Sequence, residues 1–154
     1  MINQSNVIYL PGGEGTVIQM GPDELLLFKA VGEQTGGVCD VLEDTVAPKA
    51  GPPEHIHHQN DEVLYILEGE FLVKIGDRLL KATSGTFCFV PRGIAHTWQN
   101  VGTQTGRMLA FFTPGGMDGF FQALSQVSSL LDMSQVLPIA QKYSSEVVGP
   151  PLSQ

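Results

Sequence analysis

Four residues of this chain could hold a metal ion between them: His55, His57, Glu62 and His96. The chain has only four histidines, and three of them fall in this set. Imidazole nitrogens with one carboxylate oxygen form the donor set that borderline divalent transition metals prefer. His55 and His57 are two apart, so in an extended strand both side chains point to the same face. Glu62 follows His57 by an odd interval, which strict alternation would send to the other face. The polar run His58-Gln59-Asn60-Asp61 can reset that parity through a turn or bulge. His96 is distant in sequence and must arrive on another strand passing beside the first. A fold that wraps strands from distant segments around one interior is therefore required.

The neighbours of these residues divide by the same alternation. Leu64 and Ile66 share the face of Glu62, and Trp98 shares the face of His96. All three are placed inside, either as walls of a substrate pocket or as plain core. His58 faces away from His57 and is read as a rim or surface residue. Asp61 points away from Glu62, Arg92 is read as a solvated loop residue, and Asn100 is read as holding a turn.

The chain around these residues resembles the cupin superfamily. The first family motif, Gly-x5-His-x-His-x3–4-Glu-x6-Gly, is matched from His55 through His57 and Glu62 to Gly69. Its leading glycine is displaced, since Gly51 stands four residues before His55 instead of six. The second motif, Gly-x5-Pro-x-Gly-x2-His-x3-Asn, is matched by Gly85, Pro91, Gly93, His96 and Asn100. The segments 113–121 and 142–152 resemble the tails of bacterial cupins described as quercetin-dioxygenase-like. The resemblance implies an all-β double-stranded β-helix, or jelly roll. It implies one divalent transition metal on His55, His57, Glu62 and His96, with Fe(II) first and Ni, Mn, Co, Cu or Zn after it. It also implies an oxygenase that holds an enolate-type substrate beside O2, with Glu62 taking the substrate's proton. Cupins further include isomerases, lyases and non-catalytic binding modules, so those activities stand as alternatives. Small cupins pair as two-fold dimers, and a homodimer is expected here as well.

Length and composition fit that architecture. A chain of 154 residues suits a single domain, with a barrel core at about 24–113 and a helical segment at about 117–144. The 18 glycines and 10 prolines match many short strands joined by tight turns. A formal net charge of −8 argues against nucleic acid or an anionic membrane as partner. A small, partly apolar organic molecule is the expected ligand. The N-terminus has no signal-like pattern, and a cytoplasmic location is expected. Cys39 and Cys88 sit among apolar residues and are read as core thiols.

Strands are expected at 7–10, 16–20, 24–31, 37–43, 63–67, 70–75, 78–82, 86–90, 95–101 and 107–113, besides the His-x-His strand. After the Pro114-Gly-Gly stretch the period changes to a helical one. Asp118 is expected to cap a helix whose apolar face carries Phe120, Phe121, Leu124, Val127 and Leu131. A second helix is expected over 134–143 with Pro138 near its start. Phe120 and Phe121 are read as core.

Overall fold

The computed structural model describes residues 7–154. Eleven strands and three short helices follow in the order β1 (Thr16–Met20), β2 (Glu24–Ala30), α1 (Gly32–Thr35), β3 (Asp40–Val46), β4 (Pro53–His57), β5 (Asp61–Glu68), β6 (Glu70–Ile75), β7 (Arg78–Thr83), β8 (Phe87–Val90), β9 (His96–Asn100), β10 (Gly106–Thr113), α2 (Asp118–Leu124), α3 (Met133–Lys142) and β11 (Ser145–Pro151). They build two antiparallel sheets, β1-β2-β3-β10-β5-β8 and β11-β4-β9-β6-β7. The expected all-β double-stranded β-helix with C-terminal helices is what the chain forms. Along β2, β3, β5 and β10, alternate residues such as Leu26, Leu42, Leu64, Ile66 and Met108 are buried between the sheets. Phe71, Val73 and Trp98 meet them from the other sheet.

The strand at the His-x-His motif lies in the smaller sheet, while β5 lies in the larger one. That crossing settles the parity of Glu62. The three residues His58–Asn60 carry the chain from one sheet to the other, so Glu62 faces the histidines from across the interior. The displaced Gly51 also has a structural reason. A Cβ at that position would collide with the carbonyl oxygen of Trp98, so the loop entering β4 passes directly over β9.

Several expectations are corrected. Residues 7–10 form no strand and lie exposed along the surface. The strand expected at 37–43 begins instead at Asp40, after the short α1 turn. Asp118 occupies the first turn of α2 and does not cap it; the cap position is Met117. The helix also ends at Leu124, so Val127 and Leu131 lie outside it, and Leu131 is 85% exposed. The serine-rich stretch Ser125-Gln-Val-Ser-Ser129 competes for backbone hydrogen bonds and stops the helix early. The second helix is capped by the Asp132 side chain on the Ser134 amide at 3.0 Å, and Pro138 falls inside it. The strand β11 was not expected at all. It pairs with β4, the strand that bears two of the histidines.

The starts of α1 and α2 are anchored by Asp40 at the head of β3. Its buried carboxylate accepts from the amides of Gly32, Gly116 and Met117 at 2.6, 2.9 and 2.6 Å. That clamp sets where α2 begins, and α2 in turn lays Phe120 toward the histidines. Phe120 and Phe121 are packed in the interior as expected, and their rings are 5.2 Å apart. Among the described residues no helix is long and apolar enough to cross a membrane.

Candidate metal centre

The structure brings His55, His57, Glu62 and His96 together, with one donor atom from each lying within 4.8 Å of all the others. His55 and His96 face each other directly in the β4–β9 pairing. Their ring centroids are 4.4 Å apart, with His57 at 4.8 Å from His55 and 5.4 Å from His96. Glu62 enters from β5, its Oε2 at 2.7 Å from His96 Nε2 and 3.4 Å from His57 Nε2. His57, Glu62 and His96 are buried, and His55 is partly exposed at the rim.

The outer nitrogens are all engaged. Nδ1 of His55 lies 2.7 Å from the Pro53 carbonyl, and Nδ1 of His96 lies 2.9 Å from the Ile94 carbonyl. A carbonyl can only accept, so each of these Nδ1 atoms carries the proton. Nδ1 of His57 meets the Ser145 hydroxyl at 2.8 Å. Every imidazole is thereby turned with Nε2 available for the shared centre, which is the outer support that metal-binding histidines require. The residues present fit a divalent metal. Ser145, which orients His57, is not foreseen from the sequence. The only local signal for it was Val147-Val148 after the second helix, too short a run to assign a strand.

The electrostatics agree with that fit. Burial pushes the Glu62 carboxyl up, but the charge and hydrogen bonds of His96 and His57 outweigh it and hold Glu62 ionised, well below the usual carboxylate range. Burial opposes a charge on His96, yet its contact with Glu62 wins and raises it above the ordinary imidazole value. Burial, with the charges of His96 and His57, lowers His55 to about 3. His55 is therefore neutral at pH 7, with a free lone pair on Nε2. The proton between His96 and Glu62 is the one a metal would displace, so binding couples to proton release.

The remaining expected residues are placed as follows. Leu64 and Ile66 are fully buried on β5, beyond Glu62 on the same face. Trp98 is 5% exposed and stacks edge-on against Phe71 at 6.0 Å, one inward position beyond His96. The rings that touch the histidines are Phe112 and Phe120, at 5.4 and 6.4 Å from His57. His58 is exposed and pairs with Glu146 at 2.8 Å. Arg92 is exposed, as expected, but it forks onto the Asp61 carboxylate at 3.0 and 2.9 Å and so steadies the loop before His96. Asn100 holds the turn after β9, donating to the Val46 and Gln104 carbonyls and accepting from the Gly102 amide. Cys88 is buried and Cys39 only partly so.

Residues 42–112 match the family described as Cupin domain. That stretch, a little under half of the chain, is similar to a cupin domain. A curated relative, the tetracenomycin polyketide synthase protein TcmJ of Streptomyces glaucescens, is 28% identical over 96 residues, which are 62% of this chain. The matched region spans 63% of the length of that relative. Among solved structures, KdgF from a Halomonas species superposes with a TM-score of 0.65 at 15% identity. The match covers 72% of this chain and 96% of that one. An RmlC-like cupin from Shewanella frigidimarina gives 0.62 at 20% identity, covering 72% and 94%. At those identities the likeness speaks for the fold. The cupin motifs locate the cluster on β4, β5 and β9, as the residues themselves required.

Proposed function

We propose that this chain is a metal-dependent oxygenase of a small, apolar molecule bearing an enolic or phenolic oxygen. The observation that carries the reading is a cluster of three imidazoles and a single carboxylate, buried but for His55 at the rim, with Phe112 and Phe120 against His57 and Leu64 next inward from Glu62. These residues would hold a divalent first-row metal, Fe(II) before Ni, Mn, Co, Cu or Zn, and the metal would supply Lewis-acid and redox chemistry toward a substrate oxygen and O2. The protein's own groups do the rest. His55, His57 and His96 hold the centre through rings fixed by Pro53, Ser145 and Ile94. Glu62 serves both as a ligand and as the base that takes the proton of the enol or phenol. Leu64, Ile66 and Trp98, packed in the core beyond Glu62 and His96, would keep water from the reacting oxygen. The similarity to a polyketide synthase protein supports a substrate of this type, because polyketides are rich in enolisable carbonyls and phenols.

The test is oxygen uptake. Protein prepared without air and loaded with each metal in turn should consume O2 with a flavonol or a 1,3-diketone, and not with thiols. Turnover that continues unchanged under argon would move the chain to the isomerase or lyase reading. Tight binding without turnover would make it a binding module.

We infer also that the chain works as a homodimer, through the outer face of the six-stranded sheet. An antiparallel sheet facing water is normally polar on that side. Here Val17, Tyr65, Phe87 and Phe89 are exposed on it, beside the half-buried Leu25, Leu27, Leu109 and Phe111. Its charges pair among themselves, with Lys29 and Arg107 both on Glu43 at 3.6 and 3.0 Å. In a chain of net charge −8, this locally neutral, apolar face is where a second copy meets least repulsion. Sedimentation at micromolar concentration should give twice the chain mass of 16.6 kDa, and Phe89→Asp should return the monomer. A monomer from the unaltered protein would overturn the dimer.

A further inference from the structure

We propose that α2 is a hinged cover over the histidine–glutamate centre, with the Phe120 ring as its plug, and that metal ions and organic molecules reach the centre when this helix swings away. The proposal rests on the reading of the cluster as a metal centre and is independent of oxygenase activity. His57, Glu62 and His96 are 3, 5 and 2% exposed, so anything larger than an ion needs room made for it. Two phenyl rings close on His57. Phe112 belongs to β10, which is paired along its length with β3 and β5, and it cannot give way without breaking that sheet. Phe120 belongs to α2, outside both sheets.

The attachments of α2 are those of a hinge. At its start, the Gly116 and Met117 amides are held by the Asp40 carboxylate, and the Gly115 amide donates to the Gly37 carbonyl at 3.0 Å. Gly115 is wedged in place, since a Cβ there would come within 2.7 Å of the Gly32 Cα. Gly116 beside it has open space where a Cβ would be, and a φ of +114° that favours glycine. A fixed point followed by a free one is where a segment can turn. Beyond it, among the described residues, 118–124 make no hydrogen bond to either sheet or to α3. The linker 125–132 bonds only within itself and to the two helices it joins.

What holds the helix down is apolar contact. Phe120 lies on Phe121 and Tyr143 at 5.2 and 5.8 Å, and Phe121 lies on Phe28 and Phe112 at 6.0 and 5.6 Å. Such contact is non-directional and can be broken without stranding a polar group. A helix of seven residues also has little stability of its own once it lifts from that support. The surroundings leave it room. A hollow of about 410 Å³ borders α2 at Asp118 and Gln122, and its other lining includes Ile18, Phe28 and Val31. A second, of about 200 Å³, borders the start of the helix at Met117 and Tyr143. The competing entrance is the rim at His55, which is partly exposed.

Two measurements test the cover. In metal-free protein, hydrogen exchange should show the amides of 121–125 exchanging about 100-fold or more faster than those of β4 and β9, since a local opening needs less free energy than unfolding of the barrel. In zinc-loaded protein, transfer of zinc to excess EDTA should be about tenfold faster in Phe120→Ala, through loss of a buried ring that holds the cover shut. Gly119→Ala should act in the same direction while keeping Phe120, because its Cβ would come within 2.8 Å of the Tyr143 hydroxyl and pry α2 from α3. Val46→Ala, a buried truncation at the far end of the barrel, should leave the rate unchanged. All variants are compared below their melting transitions. Zinc release unchanged in both α2 variants would assign the entrance to the His55 rim and overturn the proposal, as would α2 amides protected like those of β4. Equal acceleration in Val46→Ala would mean that release follows unfolding of the whole barrel, and would overturn it too. Protein that binds no zinc removes the metal reading and this proposal with it. Zinc binding and gated release without O2 uptake would sink the oxygenase reading alone and leave the cover standing.

Discussion

Replacing His96 by alanine is expected to lower metal affinity by more than about 100-fold, since losing even an outer partner of a ligand costs about 10–100-fold. The effect on folding is the more informative part. Were His96 at an open barrel mouth, its loss would leave the fold little changed. In the structure it is 2% exposed and holds the buried carboxylate of Glu62 at 2.7 Å. Removing one partner of a buried pair costs about 3–5 kcal/mol. Glu62 keeps His57 at 3.4 Å, so the loss should fall below that range. Adding Glu62→Gln to His96→Ala removes the stranded charge, and should restore stability while leaving metal binding abolished. Metal content by mass spectrometry and denaturant melts of the two variants test both halves. A His96→Ala protein that retains a full complement of metal would remove this residue from the centre.

Trp98→Ala should show the reverse balance. The indole is nearly sealed from solvent, stacks on Phe71, and lies on the strand whose backbone Gly51 touches. Truncating a buried Trp typically costs about 3–5 kcal/mol, through lost burial and the cavity left behind. No metal-site atom is disturbed, so metal content should be unchanged. Trp98→Phe should recover much of the stability, since a ring against Phe71 is kept. Loss of metal in Trp98→Ala at a temperature where the protein remains folded would show that the indole also positions His96.

The local part of this site was legible in the chain, and the non-local part was not. His55 and His57 are brought together by a two-residue period that any strand imposes, so their types and spacing suffice. His96 could be assigned to a neighbouring strand because nothing else brings it close. Glu62 was right for an incomplete reason. The turn before it was visible, but turn residues do not say to which sheet the next strand belongs. The helix after Asp118 ended sooner than its apolar spacing suggested, because serines cost helix propensity that a count of hydrophobic positions ignores. Ser145 was invisible, since its role depends on β11 returning to β4, a contact 88 residues apart in the chain.

The return of β11 has a consequence beyond the orientation of one imidazole. Without it, β4 would be the border of its sheet, with a row of open amides and carbonyls beside His55 and His57. Such a border recruits strands from other molecules. The segment that steadies the centre is thus also a guard against polymerisation. Damage to the last ten residues would surface first as aggregated protein, before any change in chemistry could be measured.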